Sequence, residues 1–205
     1  PVKYINEKPY ALSWAAHQPY AVNMQLLKLE QADTVDDALA LASNVGIPVQ
    51  NLMVVDSLGN AAWKNIGGIP ARTNVSELSV NAQQYSALFE QNEINRPFVK
   101  NPPSGRLWTG NSRVVSASDN ARFGNGGYAL GARSSQIRDR LFEKQTFAES
   151  DFYALQLDNQ ARFLMPWHEL LLKQLKTNEV KNAKYITELE NWQQCACASS
   201  VGYTL

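Results

Sequence analysis

The sequence predicts an α+β fold, because strand signals and helix signals occupy different parts of the chain. Short apolar runs flank a turn within residues 51–66, which is typical of a β-hairpin. Longer segments with helical spacing dominate residues 132–194. Strands and helices do not alternate, which argues against a parallel sheet of βαβ units. We therefore divide the chain into a mixed helix and strand part, 1–115, and a mainly helical part, 116–205.

Two helices are predicted ahead of the hairpin. Residues 21–32 are rich in Leu, Met, Gln and Lys, which are good helix formers. Residues 33–46 give a clearer signal, because Asp33 or Thr34 can cap the helix and apolar residues recur on one face. Gly46 is predicted to end this second helix.

The hairpin and the segments after it are read from turn residues. Gly59, in the turn SLGN, supplies the positive φ that the hairpin needs. Residues 73–103 keep no period and predict an extended, loop-rich connection. RLWTG, residues 106–110, predicts a short strand, and residues 118–131 predict a glycine-rich loop.

Three helical segments are predicted in the last third of the chain, over residues 132–144, 149–176 and 182–194. The middle segment contains Pro166. Proline has no backbone N–H and clashes with the preceding turn, so we expect the helix to break or kink there.

Composition excludes several partner classes. Lys and Arg number 19 against 19 Asp and Glu, and no basic run is present, so we expect no nucleic-acid partner. No apolar run approaches the roughly 18 residues of a membrane span, so we expect no membrane partner.

One residue separates Cys195 from Cys197, a spacing at which disulfide geometry is seldom reached, so we expect no bond between them. His17 and His168 fit no zinc pattern.

Motifs for catalysis are missing. The chain has no Gly-x-Ser-x-Gly, no Ser-x-x-Lys and no Cys-His signature. The glycine-rich loop lacks the Gly-Lys-Ser/Thr of a P-loop, so its glycines are interpreted as allowing a tight loop. These residues alone support only an α+β protein of undetermined function.

Four stretches, in order along the chain, carry a resemblance to a known family. They are YALSWAAHQP with the segment from TVDDALALASNVG to GGIPAR, then NPPSGRLWTGNSRVV, GARSSQIRDRLFE and FAESDFYALQLDNQARFLMPWHELLL. Their order and intervals resemble the β chain of the penicillin acylase (penicillin amidase) family of N-terminal-nucleophile hydrolases. The resemblance implies an αββα sandwich, of which this chain is an internal part. It also implies hydrolysis of a small-molecule or peptide N-acyl amide through an acyl-enzyme.

The nucleophile in that family is the N-terminal Ser that self-cleavage of the precursor creates on the β chain. Its own α-amine, with a pKa of about 7.7 to 8.0 in model peptides, serves as the base. Nothing near Pro1 resembles that start, so the resemblance implies that the nucleophile lies outside this chain and that the chain alone is inactive. Its partners would be the rest of its precursor, the α chain and further β chain. Without them, exposed strand edges and apolar surface favour self-association.

Two site residues follow from the resemblance. The first Asn of the family's Asn pair falls on Asn111, whose side-chain amide would donate to the oxyanion. The second position of that pair is Ser112 in this sequence. The family's Arg falls on Arg133, where it would orient that Asn and disfavour protonation of the amine. Alternatively, Arg133 caps its helix or pairs with Asp119.

The resemblance also bears on cofactors and location. It implies no metal in catalysis, whereas some members bind a structural calcium, for which we assign no ligands in this sequence. Relatives are commonly exported, which implies a periplasmic or secreted protein.

A rival interpretation is a non-catalytic binding module. In it, Trp63, Trp108 and Tyr128 form an aromatic platform for a sugar or a peptide. Such a platform needs exposed, coplanar rings, whereas an oxyanion donor at Asn111 should lie beside Arg133 in a cleft.

Overall fold

The computed structural model describes residues 2–72, 76, 78–84, 91–124 and 126–204. Helices and antiparallel strands are both present, which confirms the α+β class. The chain divides into two units, Pro1–Leu130 (unit 1) and Gly131–Leu205 (unit 2), and each is described by itself. None of the helices in the described residues is long and apolar enough to cross a membrane.

Unit 1 contains two antiparallel sheets. Strands β1 (Val2–Ile5) and β2 (Lys8–Ala11) form an exposed hairpin. Strands β3 (Gln50–Val55), β4 (Ala61–Ile66) and β5 (Phe98–Lys100) form a three-stranded sheet in that order.

The hairpin predicted from the sequence is confirmed by the pairing of β3 with β4, from Gln50 opposite Ile66 to Val55 opposite Ala61. Asp56 holds the turn, since its Oδ1 accepts from the backbone N–H of Leu58 at 3.0 Å and of Asn60 at 2.9 Å. Hydrogen bonds, foremost from the Asn60 side chain, lower the pKa of the Asp56 carboxyl. Gly59 has φ +83°, the positive value predicted for it.

Helix α1 (Val35–Ala42) covers one face of the β3–β4 pair. Lys64 points to the same face, where its Nζ donates to the Leu39 carbonyl at 3.1 Å and to Ser43 Oγ at 2.7 Å. Burial lowers the pKa of the Lys64 ammonium. The apolar core of this layer consists of Val35, Leu39, Ala62 and Val54, together with Ala42, Val45, Ile66, Leu29, Ile47 and Leu52.

Thr34 is the N-cap of α1, which decides between the two predicted caps, Asp33 and Thr34. Its Oγ1 accepts from the Asp37 backbone N–H at 3.1 Å and donates to the Asp37 carboxylate at 2.7 Å.

Thr34→Ala is expected to lower the free energy of unfolding by about 1 kcal/mol, because an N-terminal N–H of the helix loses its acceptor. Thr34→Ser keeps the hydroxyl and serves as the control in denaturant titrations. Equal midpoints for Thr34→Ala and the unmodified protein would contradict this assignment.

The segment before α1 differs from the prediction. Residues 21–32 contain a 3₁₀ helix, Gln25–Gln31, instead of an α-helix. Leu29 packs against the core, but no residue of this 3₁₀ helix is fully buried, so packing does not impose the α-helical register. The α1 helix ends at Ala42, before Gly46. Gly46 serves close packing instead, because a Cβ there would lie 2.8 Å from the backbone nitrogen of Asn23.

The region after the hairpin holds three further differences. RLWTG forms no strand, because residues 106–110 pair with no neighbouring strand. Strand β5 lies instead within the connection predicted to be loop-rich, of which residues 73–75, 77 and 85–90 fall outside the described residues. Helix α2 (Ala117–Phe123) occupies part of the predicted glycine-rich loop. Ser116 caps it by accepting from the Asp119 N–H at 3.0 Å, a signal that the neighbouring glycines obscured.

Unit 2 is built from the helices predicted for the end of the chain. They are α3 (Ala132–Leu141), α4 (Glu149–Gln156), α5 (Met165–Leu175) and α6 (Glu179–Glu190). The long middle segment breaks at residues 157–161, and Pro166 lies in the first turn of α5. The prediction of a break at Pro166 is therefore wrong, since the first turn of a helix does not need the missing N–H.

The two cysteines also differ from expectation. Cys195 and Cys197 form a disulfide with a Cα–Cα distance of 5.2 Å. Gln194 has φ +59°, which turns the chain just before the pair. The Cys195 carbonyl accepts from Trp192 Nε1 at 3.0 Å, and Cys195 forms an antiparallel bridge with Gln160. These contacts bend the backbone enough to bring the two thiols together, which spacing alone did not predict.

Candidate active site

Asn111 lies in an irregular segment, residues 104–112, which we call the Asn111 segment. Gly105, with φ +62°, turns the chain, and its N–H donates to the Pro102 carbonyl at 2.8 Å. Asn111 is exposed, and its backbone carbonyl accepts from the Ala129 N–H at 2.9 Å. The backbone after Asn111 is thereby tied to residues that follow α2.

The backbone before Asn111 is held by the sheet. Asn51 and Asn65 are directly opposite each other in the β3–β4 ladder, on the face that α1 does not cover. Asn51 Oδ1 accepts from Trp63 Nε1 at 2.9 Å and from Asn65 Nδ2 at 3.1 Å. Asn51 Nδ2 donates to the Gly110 carbonyl at 3.3 Å. We call these three side chains the Asn51 network.

Two of the three side chains of the Asn51 network are buried. Trp63 is 6% exposed and Asn65 is 7% exposed, so neither side chain exchanges its partners freely with water. Hydrogen bonds in such a low-dielectric setting are stronger than in water, and breaking one of them leaves a buried polar group unsatisfied. The Gly110 carbonyl is therefore bonded to a largely buried group of side chains on the sheet.

Arg133 lies in the first turn of α3 and is exposed. Its guanidinium has only donors, and the unsatisfied groups at a helix N-terminus are also donors, so the capping alternative fails. A positive charge also opposes the helix dipole at this end, and the first turn contains no acidic residue. Asp119, the other alternative partner, accepts from Arg122 Nη2 at 2.7 Å.

Asn111 belongs to unit 1 and Arg133 to unit 2. That the side chains of Asn111 and Arg133 lie close together stays a prediction.

Helix α3, which carries Arg133, is anchored by Asp158. Arg140 donates to both carboxylate oxygens, from Nε at 2.7 Å and from Nη2 at 3.2 Å. Gln136 Nε2 adds a third bond to Asp158 at 2.8 Å. The Asp158 side chain is 10% exposed, and the hydrogen bonds from Arg140, foremost, hold the pKa of its carboxyl far below the usual range.

The aromatic platform of the rival interpretation is wrong for Trp63. This indole is buried, and its N–H is used by Asn51, so its ring is not available to a ligand. Tyr128 is partly exposed, and Trp108 is half-buried.

Metal ligation finds no support in the part of the chain that the structure describes. No group of three or more His, Cys, Asp or Glu side chains there is placed to hold a metal ion. His17 packs on the ring of Trp14, and His168 Nε2 donates to the Leu189 carbonyl at 2.9 Å. A structural calcium in the full-length parent stays an expectation from the family, and we derive no step through a metal.

Comparison with known proteins decides the family. The model of the penicillin amidase family matches residues 1–205. The chain belongs to the penicillin amidase family. Among solved structures it is similar to a thermostable penicillin G acylase from Alcaligenes faecalis, in orthorhombic form, with 20% identity and a TM-score of 0.60. That match covers 83% of this chain and 32% of the acylase chain, and at this identity it shows the fold. No curated protein matches the chain.

The sequence predicted Asn111 and Arg133 as site residues of this penicillin amidase family member, and that prediction did not include the Asn51 network. A signal for it was present, since Asn51 and Asn65 are polar residues at opposed positions in two largely apolar strands. The partner in the Asn111 segment had no such signal, because Gly110 contributes only its backbone.

Proposed function

We propose that this penicillin amidase family member forms part of an N-terminal-nucleophile acylase. The acylase hydrolyses the N-acyl amide bond of a small molecule or peptide through an acyl-enzyme. Asn111 donates its side-chain amide to the oxyanion, and Arg133 supports that amide. The observation that carries the proposal is that the exposed Asn111 follows a carbonyl held by the buried Asn51 network.

The chemistry suits an amide donor. In acyl transfer, negative charge develops on the carbonyl oxygen only as the tetrahedral intermediate forms. A neutral amide on a rigid backbone stabilises that charge without having to reorganise during the reaction. Exposure of Asn111 leaves access to it for a substrate, while the backbone on either side is bonded to the rest of unit 1.

In this proposal the nucleophile and its α-amine base lie on precursor sequence outside residues 1–205. Self-cleavage of the precursor exposes them, and the remainder of the precursor assembles with this chain. Without that remainder, residues 1–205 have no acylase activity and tend to self-associate. Export to the periplasm or the medium is proposed because relatives in the family are commonly exported.

The experiment uses the native gene product purified from its source. We expect intact masses and N-terminal sequencing to show a processed chain that contains this sequence and begins with Ser, Thr or Cys. We also expect that product to release the free acid from a panel of aryl and alkyl N-acyl amides. A native product that begins at Pro1, ends at Leu205 and cleaves none of the panel would contradict the proposal.

A further inference from the structure

We propose that Asn51 is a positioning residue for the oxyanion donor and acts on Asn111 through the carbonyl of Gly110. The inference rests on the proposed function and extends it to a residue on a different strand, 59 positions from Gly110 in sequence. Asn51 does not touch the substrate in this proposal.

The orientation of the Asn51 amide is determined by its partners. Two N–H donors, from Trp63 and Asn65, converge on Oδ1, so that atom acts as the acceptor. The amide nitrogen is thereby directed to the Gly110 carbonyl, which accepts from it at 3.3 Å and from the neighbouring Thr109 Oγ1 at 3.5 Å. A flipped Asn51 would place its NH₂ against two other donors and its oxygen against a carbonyl.

A hydrogen bond to the Gly110 carbonyl orients the peptide unit that precedes the Asn111 Cα. The Gly110 carbonyl and the Asn111 N–H belong to one planar peptide unit and, in the trans form, point in opposite directions. The peptide unit after Asn111 is held in turn by the hydrogen bond from Ala129 to the Asn111 carbonyl. With both flanking peptide units bonded, the backbone that carries the Asn111 side chain is held on either side of its Cα.

A purely structural role explains this arrangement less well. The β3–β4 ladder already joins the strands. Apolar side chains at positions 51 and 65, with Phe at position 63, would avoid burying these polar groups at comparable stability. Three buried or half-buried polar side chains instead converge to direct one amide at one carbonyl. That carbonyl directly precedes the residue proposed to carry the oxyanion donor.

The test uses the native gene product and a double-mutant cycle. Asn51→Leu is expected to lower kcat about 10- to 100-fold with KM within about twofold, because the oxyanion donor is displaced while ground-state binding is kept. If Asn51 acts only through Asn111, adding Asn51→Leu to Asn111→Ala causes no further loss in kcat. Trp63→Phe, which keeps an aromatic ring but removes the pyrrole ring with its N–H, is a milder variant that should lower kcat several-fold.

Asn23 provides the matched control. Its Nδ2 donates to the Asn44 carbonyl at 3.0 Å and its Oδ1 accepts from the Gly46 N–H at 2.9 Å, so it makes the same kinds of bond as Asn51 at another place in unit 1. Asn23→Leu is expected to lower the melting temperature and leave kcat of the folded protein within about twofold.

The outcomes separate the two proposals. If Asn111→Ala lowers kcat but Asn51→Leu and Trp63→Phe do not, or if the losses from Asn51→Leu and Asn111→Ala multiply, the positioning role is overturned and the proposed function stands. If Asn111→Ala leaves kcat unchanged, the oxyanion role of Asn111 fails and the positioning role fails with it. A loss for Asn51→Leu that is absent from the double variant supports the inference.

Discussion

Asn111→Ala is expected to lower kcat of the native gene product by about 10²- to 10³-fold, with little change in KM. The reason is that the amide of Asn111 is proposed to bond an oxygen whose charge develops only in the transition state. Ground-state binding is expected to be kept, since the bonds from Asn51 to the Gly110 carbonyl and from Ala129 to the Asn111 carbonyl do not involve the side chain of Asn111. Steady-state kinetics on a cleaved N-acyl amide measure the effect.

Ser112→Ala is the control for this substitution. Ser112 occupies the second position of the family's Asn pair, and it supplies no amide donor. Its kcat should stay within a few-fold of that of the unmodified protein. Similar kcat values for Asn111→Ala and Ser112→Ala would contradict the oxyanion role of Asn111.

Asp158→Asn is expected to lower the free energy of unfolding by about 2–3 kcal/mol at neutral pH. The substitution leaves the Arg140 guanidinium, which is 24% exposed, without its nearest carboxylate. Glu143, at 3.2 Å from Arg140, retains part of the pairing and limits the loss. Denaturant titration measures the change in stability. Helix α3, which Asp158 anchors, is the element expected to loosen.

The same carboxylate predicts a pH dependence. The pKa of Asp158 is lowered in the folded protein, so the unfolded chain binds the proton first, at about pH 3.9. The contribution of Asp158 is therefore fully present above that pH and is lost as the pH falls toward its folded pKa. Unfolding curves of Asp158→Asn should depend less on pH below about 4 than those of the unmodified protein.

Asp139→Asn is the matched control for both measurements. Asp139 also pairs with an arginine, Arg138, at 2.7 Å, but both side chains are nearly half exposed. Exposed pairs contribute about 0–1 kcal/mol, so a small change in stability is expected. Equal losses for Asp158→Asn and Asp139→Asn would show that burial of the Asp158 pair does not matter.

Local signals in the sequence predicted much of the fold. The β3–β4 hairpin and helix α1 were predicted because a turn glycine, a cap and an apolar period all lie within a few residues of each other. RLWTG was wrongly predicted as a strand. Its residues form no ladder, and the Gly110 carbonyl instead accepts from a side chain of the sheet.

Backbone turns and contacts between distant residues explain what the sequence did not predict. The Cys195–Cys197 disulfide depends on the backbone turn at Gln194 and on bonding to Trp192 and Gln160, none of which follows from the spacing. Asn111 was predicted through resemblance to a family. The hydrogen bond that holds the backbone before it joins β3 to the Asn111 segment, and the sequence gives no signal for that contact.

The most direct test of the oxyanion role compares two ligands of the native gene product. A boronic acid analogue of the substrate forms a tetrahedral adduct with a nucleophilic hydroxyl and places a negative oxygen where the oxyanion develops, whereas the carboxylic acid product does not. We expect Asn111→Ala to weaken inhibition by the boronic acid about 100-fold or more and inhibition by the product by less than about threefold. Equal weakening of both ligands, or of neither, would contradict the assignment of Asn111 as the oxyanion donor.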